Sequence, residues 1–282
     1  MAAEPYTATQ SSQKRSYLYY RHTVPVRVMH WINVIALTLL MMSGLMIFNA
    51  HPALYWGKSS YTGRPAVLQI GTRDDESAGQ IGVTRVFGRE FDTTGVLGLS
   101  DYHGEPQAVA FPHWATVPGY YSLAMARQWH FFFAWVFVLN GFAYVIYSIA
   151  SRHLTRDLVP TTAELRGVGG SIKDHLRFRH PTGEASRRYN VLQKLAYIAV
   201  IFVLLPLVIL LGWAMSPWLN SVLPGWVDIF GGRQSARTLH FVVAWLLFGF
   251  VLIHLFEVVV SGLLNHMRSM ITGYFKVKES AQ

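Results

Sequence analysis

The sequence has 282 residues, of which 52% are hydrophobic and only 14% are charged, and this composition indicates a membrane protein rather than a soluble globule of two domains. The net charge of +9 does not indicate nucleic-acid binding, because the basic residues lie mostly between apolar segments, as the positive-inside bias predicts. The absence of cysteine excludes disulfides, Cys-ligated iron–sulfur clusters and a covalently attached c-type haem.

Residues 1–24 are predicted to form a polar cytoplasmic tail, and they lack the apolar region of a secretory signal. Four apolar segments follow, each long enough to cross a bilayer as a helix, at about residues 25–48, 122–149, 190–213 and 237–261. The loop between the first two spans, residues 49–121, is rich in Gly, Pro and aromatic residues, and its stretches AVLQI and QIGVTRVF alternate as strands do. A connection of this length usually docks a partner.

Lys and Arg are concentrated in the N-terminal tail, in the loop between spans two and three, and in the C-terminal tail at 267–282. The positive-inside rule therefore places both ends of the chain in the cytoplasm and residues 49–121 outside. The segment after Ser261 is predicted to be an amphipathic helix at the membrane surface. The expected fold class is an all-α membrane protein, a four-helix transmembrane bundle over residues 25–266 with N-in/C-in topology, a long external loop between spans 1 and 2, and a C-terminal amphipathic helix.

Four histidines fall inside the spans and form two pairs by depth. His240 and His254 are fourteen residues apart on span four, which is about 21 Å along a helix axis and some 40° short of four full turns. His130 is at the depth of His240, and His30 is at the depth of His254. A single histidine in a span is more often hydrogen-bonded to a neighbouring helix or part of a proton path. Two pairs at two levels favour bis-histidine ligation of two haem irons, whereas zinc would prefer four ligands around one centre.

An arginine lies three residues before three of these histidines, on the same helix face and one turn closer to the membrane surface. We interpret Arg27, Arg127 and Arg237 as partners of haem propionates; the alternative is that each only extends to the interface from a helix end. Small residues near the ligands leave room for a macrocycle or mark tight helix contacts, and the sequence does not distinguish the two roles for Gly44, Gly141 and Gly249.

The motifs RVMHW, RQWHFFFAW and the His-x13-His of span four resemble those of a known family: the membrane cytochrome b subunits of quinone-linked nickel–iron hydrogenases and formate dehydrogenases, the bacterial cytochrome b561-like group. The resemblance covers residues 20 to 275. It implies two haem b groups, an outer one held by His130 and His240 and an inner one held by His30 and His254. It further implies a multi-pass protein of the bacterial inner membrane, in contact with lipid.

In that family an Asn and a Gln at the cytoplasmic start of span three lie where quinone binds, and Asn190 and Gln193 occupy the matching positions of RRYNVLQKL. The alternative for Asn190 is an ordinary helix N-cap. Glu257, one turn beyond His254, is a candidate for passing protons to the quinone, because a carboxylate at this depth is costly unless it is solvated or functional.

The predicted function is that of a dihaem b-type cytochrome that anchors a respiratory oxidoreductase complex in the membrane. It would pass electrons between quinone and external (periplasmic) catalytic or iron–sulfur subunits of a hydrogenase, a formate dehydrogenase or another molybdoenzyme. The chain would carry electrons rather than catalytic residues of its own. Two alternatives are a stand-alone superoxide/quinone oxidoreductase and a haem-free transporter that uses the histidines as a proton relay.

Overall fold

A computed structural model describes residues 16–60, 63–77, 79–177, 187 and 189–278. Within them, four helical segments are long and apolar enough to cross a membrane: α1 (Val24–Asn49), α2 (Leu123–Ala150), the segment Val191–Ala214, and α8 (Arg233–Val260). Each overlaps its predicted span. The fourth begins earlier than the predicted residue 237, because the polar start of α8 is anchored rather than solvated: the backbone N–H groups of Gln234 and Ser235 both donate to the carbonyl of Gly57.

The third span is not a uniform α-helix. It consists of α5 (Val191–Ala199), a π-helical turn (Val200–Leu204) and α6 (Leu205–Ala214). Pro206 has no backbone N–H and cannot complete the α-helical hydrogen bond to the residue four before it. The wider π turn ends immediately before this proline-containing turn, and the helix continues beyond it.

The segment that joins α1 to α2 is a small folded domain, here called the α1–α2 domain. Its antiparallel sheet has the order β2–β3–β4–β5, with β2 at Ala53–Leu54, β3 at Leu68–Asp75, β4 at Gly79–Val86 and β5 at Arg89–Asp92. A separate hairpin pairs β6 (Ser100–Tyr102) with β7 (Glu105–Gln107). The two stretches that alternate in the sequence fall largely within β3 and β4.

The α1–α2 domain packs on the end of α1. Leu54, Ile70 and Phe111 share a buried core with Leu45 and Phe48 of the helix. Asn49, the last residue of α1, donates from Nδ2 to the carbonyl of Phe111 at 3.0 Å and accepts the Phe111 N–H at 2.8 Å. Both groups are buried, so this reciprocal pair satisfies them and fixes the domain to the helix end.

The chain separates into two compact units, one of Met1–Arg27, Ile149–Tyr197 and Ile253–Gln282, the other of Val28–Ser148 and Ile198–Leu252. In the first unit β1 (Ser16–Tyr20) pairs antiparallel with β8 (Tyr274–Lys278), so these parts of the two predicted tails form a sheet. This unit also contains the short helices α3 (Thr162–Arg166), α4 (Val168–Leu176) and α9 (Leu263–Thr272). The helix α9 lies within the segment after Ser261 that was predicted to be an amphipathic helix, but the end of that segment forms β8 instead, because it pairs with β1. Residues 1–15, 279–282 and part of the basic loop lie outside the described residues.

The second unit has a further buried core between α6 and α8, built on Leu211, Ala214, Ala236, Val243 and Leu247. The short helix α7 (Pro217–Val222) and a 3-10 turn (Trp226–Phe230) connect the two helices. This core places the first histidine of span four beside α6.

Candidate functional site

His130 of α2 and His240 of α8 face each other in the second unit. Their ring centroids are 6.3 Å apart and their planes differ by 64°. An imidazole nitrogen binds a metal at about 2 Å and lies about 1.1 Å from its own ring centre, so two imidazoles on opposite sides of one metal ion have centroids about 6.2 Å apart. The observed separation of 6.3 Å is close to this value, so the two rings are placed where they could bind one metal ion between them.

The Nδ1 atom of each ring has its own partner on a neighbouring helix. His130 Nδ1 lies 3.1 Å from Ser43 Oγ on α1, and His240 Nδ1 donates to the carbonyl of Val208 on α6 at 2.9 Å. A metal-binding histidine typically donates its second ring N–H to an acceptor in this way, which fixes the tautomer and the ring orientation. With the proton on Nδ1, Nε2 of each ring would be the atom that binds a metal.

A glycine makes room for each of these rings. A Cβ at Gly44 would lie 3.5 Å from His130 Cε1, and a Cβ at Gly212 would lie 3.4 Å from His240 Cε1. Gly44 was among the glycines named from the sequence, whereas Gly212 was not. The other two glycines named from the sequence are Gly141 and Gly249. A Cβ at either one would meet no atom of the described residues within 4 Å, so neither makes room for a histidine ring.

The donor set fits a haem better than a bare metal ion. Among the described residues, no group of three or more His, Cys, Asp or Glu side chains could hold a metal. Two imidazoles alone leave most coordination positions of a metal ion unfilled. A haem needs only axial ligands from the protein, and His130 and His240 would hold it.

The second predicted pair is distributed over both units. His30 belongs to the second unit, and its ring makes an edge contact with Trp31 at 5.5 Å between centroids. His254 belongs to the first unit. The pairing of these two histidines stays a prediction from the sequence.

The three arginines lie at helix ends or beside aromatic rings. Arg237 donates to the carbonyls of His51 and Ala53, and its guanidinium lies 5.7 Å from the centre of the Phe48 ring. Burial, and then the charge of Arg237, lowers the pKa of His51. Arg127 lies over the Phe131 ring at 5.6 Å, and Arg27 donates to the carbonyl of Ile271. The proposed role of all three arginines as partners of haem propionates stays a prediction.

Asn190 and Gln193 cap the start of the third span. Asn190 Oδ1 accepts the N–H of Leu192 at 3.2 Å, and Gln193 Oε1 accepts the N–H of Asn190 at 3.2 Å. Their oxygens thus serve the helix, as in the N-cap alternative for Asn190, while their amide nitrogens are the donors that a quinone carbonyl requires. Glu257, the third predicted quinone residue, accepts at its backbone carbonyl from the hydroxyl of Ser261.

Sequence reasoning missed the ion pair next to these amides. Lys194 Nζ lies 2.8 and 3.0 Å from the two carboxylate oxygens of Glu164, and the lysine side chain is only 7% exposed. The hydrogen bond from Lys194, followed by that of the Thr161 N–H, lowers the pKa of Glu164. A lysine in the first turn of an apolar span was the available signal, because such a charge requires a partner.

Four apolar spans and the facing imidazoles of His130 and His240 suit a membrane protein that binds haem. Sequence comparison agrees: the chain belongs to the prokaryotic cytochrome b561 family, whose model matches residues 21–273. It is therefore a cytochrome b561-type membrane haem protein, and the family implies b-type haem.

Two relatives are similar over most of their length. A protein of Azospira oryzae named as a putative protein-methionine-sulfoxide reductase subunit, YedZ1, is 24% identical over 84% of this chain and 89% of its own. A protein of Cupriavidus necator named as a probable Ni/Fe-hydrogenase B-type cytochrome subunit is 22% identical over 96% of this chain and 91% of its own. No solved structure matches the chain.

Proposed function

We propose that this protein is the dihaem cytochrome b subunit of a respiratory complex in the bacterial inner membrane. Electrons pass between a catalytic subunit, an outer haem held by His130 and His240, an inner haem held by His30 and His254, and quinone. The observation that carries the proposal is the apposition of His130 and His240 at 6.3 Å, each held through Nδ1. Bound haem supplies a one-electron carrier.

The residues of the chain hold and insulate these carriers. His240 and His254 are about 21 Å apart along α8, which spreads the two centres across the bilayer. The apolar spans exclude water from the ligands, and the hydrogen bonds at Nδ1 of His130 and His240 would orient these two rings to hold a haem through Nε2. The amide nitrogens of Asn190 and Gln193 bind a quinone carbonyl near the cytoplasmic side, and Glu257 exchanges protons there.

Partner subunits dock on the outside of the membrane, on the α1–α2 domain. With the N-in/C-in topology indicated by the basic segments, this folded domain faces the periplasm. It is firmly attached to α1 through Asn49 and Phe111, so a partner bound to it has a fixed position relative to the outer haem. The name of the Cupriavidus relative supports a hydrogenase-type donor that sends electrons inward to quinone.

The Azospira relative supports a second candidate. Its name describes a methionine-sulfoxide reductase subunit, and a periplasmic reductase would draw electrons outward from quinol through the same haems. The identity of the subunit that co-purifies with the chain distinguishes the two. Both candidates require the same ligands and the same docking side.

Replacement of the ligands tests the proposal. His130→Ala and His240→Ala should each remove one haem, and His30→Ala and His254→Ala should each remove the other, so haem per protein falls from two to about one in every variant. His153 is bound to Asp157 at 2.7 Å outside the spans, and His153→Ala is the matched control that should keep both. Haem is counted by the pyridine haemochrome assay. Purified protein without haem, or a His130→Ala variant with both haems, would refute the proposal.

A further inference from the structure

Ser43 lies in α1 and is fully buried, with 0% of its surface exposed. Its Oγ is 2.6 Å from the carbonyl of Leu39, so the hydroxyl proton is donated within the helix. The same oxygen lies 3.1 Å from His130 Nδ1. Because its proton is committed to Leu39, the hydroxyl acts as an acceptor toward the ring, and the proton on Nδ1 is the one it receives.

The two facing histidines therefore differ in their acceptors. His240 Nδ1 donates to a backbone carbonyl, which no side-chain substitution removes. The His130 ring has the backbone carbonyl of Leu40 within hydrogen-bonding reach and, in addition, the side-chain hydroxyl of Ser43, which a substitution does remove. An acceptor at Nδ1–H raises the basicity of a metal-bound imidazole. A more basic ligand stabilises ferric iron relative to ferrous iron, because the ferric ion carries the higher charge.

We propose that Ser43 is a positioning residue for the outer haem: it fixes the tautomer and the ring plane of His130 and lowers the reduction potential of that haem. This inference rests on the proposed function, in which His130 and His240 bind one iron. It assigns to α1 a role in the outer site in addition to carrying His30.

The experiment measures the reduction potential of the outer haem alone. Ser43→Ala is introduced into a His254→Ala background, where the outer haem is the one that remains, and the α band is followed in a redox titration. The potential should rise relative to His254→Ala. The ferric electron paramagnetic resonance signal should also shift, since its anisotropy depends on the angle between the two ligand planes, here 64°.

Thr38 offers a matched control on the same helix. Its hydroxyl also donates to a carbonyl one turn earlier, that of Val34 at 2.8 Å, but this hydrogen bond lies at the exposed surface of the helix. Thr38→Ala should leave the potential and the resonance signal unchanged. Ser43→Cys retains a weak acceptor in a similar volume and should raise the potential less than Ser43→Ala does.

The outcomes separate the inference from the proposed function. If Ser43→Ala and Ser43→Cys keep the haem at the parent potential, the role of Ser43 is refuted while the haem site stands. If Ser43→Ala loses the haem, Ser43→Cys decides: a raised potential supports the inference and an unchanged one overturns it. If the parent protein binds no haem, the inference about Ser43 and the proposed function are both refuted.

Discussion

Glycine has the same function on two different helices of the candidate haem site. Gly44 on α1 and Gly212 on α6 each leave the space against which a histidine ring lies, with 3.5 and 3.4 Å from the missing Cβ to the nearest ring atom. A single methyl group at these distances is close to ordinary contact. A branched side chain would occupy the position of the ring itself.

Gly212→Val is expected to displace His240 from its hydrogen bond to Val208 and to weaken haem binding at the outer site by about 10- to 100-fold, the range known for lost outer-shell support of metal ligands. Haem titration of the purified variant measures the effect. A Cβ at Gly170 in α4 would meet no atom of the described residues within 4 Å, and Gly170→Ala should bind both haems normally. Unchanged affinity in Gly212→Val would show that His240 does not depend on this contact.

The sequence placed His130 and His240 at one depth because a helix has a fixed rise and turn, which convert spacing into depth, and the two rings face each other. The pairing of His30 with His254 rests on the same argument and stays a prediction. The sequence also named Gly44 as a candidate for making room beside a ligand. It missed Gly212, Ser43 and the carbonyl of Val208, since these meet the histidines only through the packing of different helices. The oxygens of Asn190 and Gln193 likewise have local partners that their amide chemistry alone did not reveal.

The third span begins with a buried positive charge that forms an ion pair with a carboxylate of α3. Lys194 is buried, and Glu164 binds it while also completing a capping box with Thr161 at the start of α3. Removing one partner of such a pair leaves an uncompensated buried charge, which is worse than removing the buried charge itself.

Glu164→Gln should therefore lower the free energy of unfolding by about 2 kcal/mol, below the full cost of a broken buried pair because the Glu164 side chain is 31% exposed. Lys194→Met should cost less than about 1 kcal/mol, since a methionine fills the same apolar site. Glutamine retains the cap, so the cap does not confound the comparison. Thermal unfolding in detergent gives both values, and a larger loss in Lys194→Met would contradict this reasoning.

The same pair predicts a dependence on pH. The pKa of Glu164 is lowered in the folded protein, mainly by Lys194, so the unfolded state binds the proton more readily. The contribution of the pair is complete above the ordinary glutamate pKa of about 4.3 and is lost as pH falls through the lowered value. The difference in melting temperature between the parent and Glu164→Gln should thus shrink at acid pH.

The segment between α1 and α2 shows where prediction from the sequence ends. Of its two longest strands, β4 was predicted almost whole from QIGVTRVF, whereas AVLQI covers only the first three residues of β3, which ends in the non-alternating GTRDD. The strands β2, β5, β6 and β7 have two to four residues each, too few for a periodic signal, and they exist because they pair with neighbours. The strands of the two tails were not predicted either, because β1 and β8 form only by pairing with each other from opposite ends of the sequence.

For the whole molecule, the proposed function assigns separate roles to the spans and the α1–α2 domain: the spans hold haem and the domain binds the partner. A substitution at Gly98 is expected to disrupt the α1–α2 domain while leaving the spans intact. A Cβ there would lie 2.2 Å from the carbonyl oxygen of Gly71 in β3, and its φ of +82° disfavours any other residue. Gly104 has a similar φ of +85°, but a Cβ there would meet no described atom within 4 Å.

Gly98→Ala should unfold or distort the α1–α2 domain, because backbone atoms of the sheet cannot yield to the added methyl group. The domain should become sensitive to protease, and partner-dependent quinone reduction should fall at least tenfold, a change of about 1.4 kcal/mol. Dithionite should still reduce both haems, because their ligands lie on the spans. Gly104→Ala introduces the same kind of positive-φ strain without a steric clash, and it should retain partner-dependent activity. If Gly98→Ala becomes protease-sensitive yet keeps full activity with its partner, the docking surface lies elsewhere on the protein.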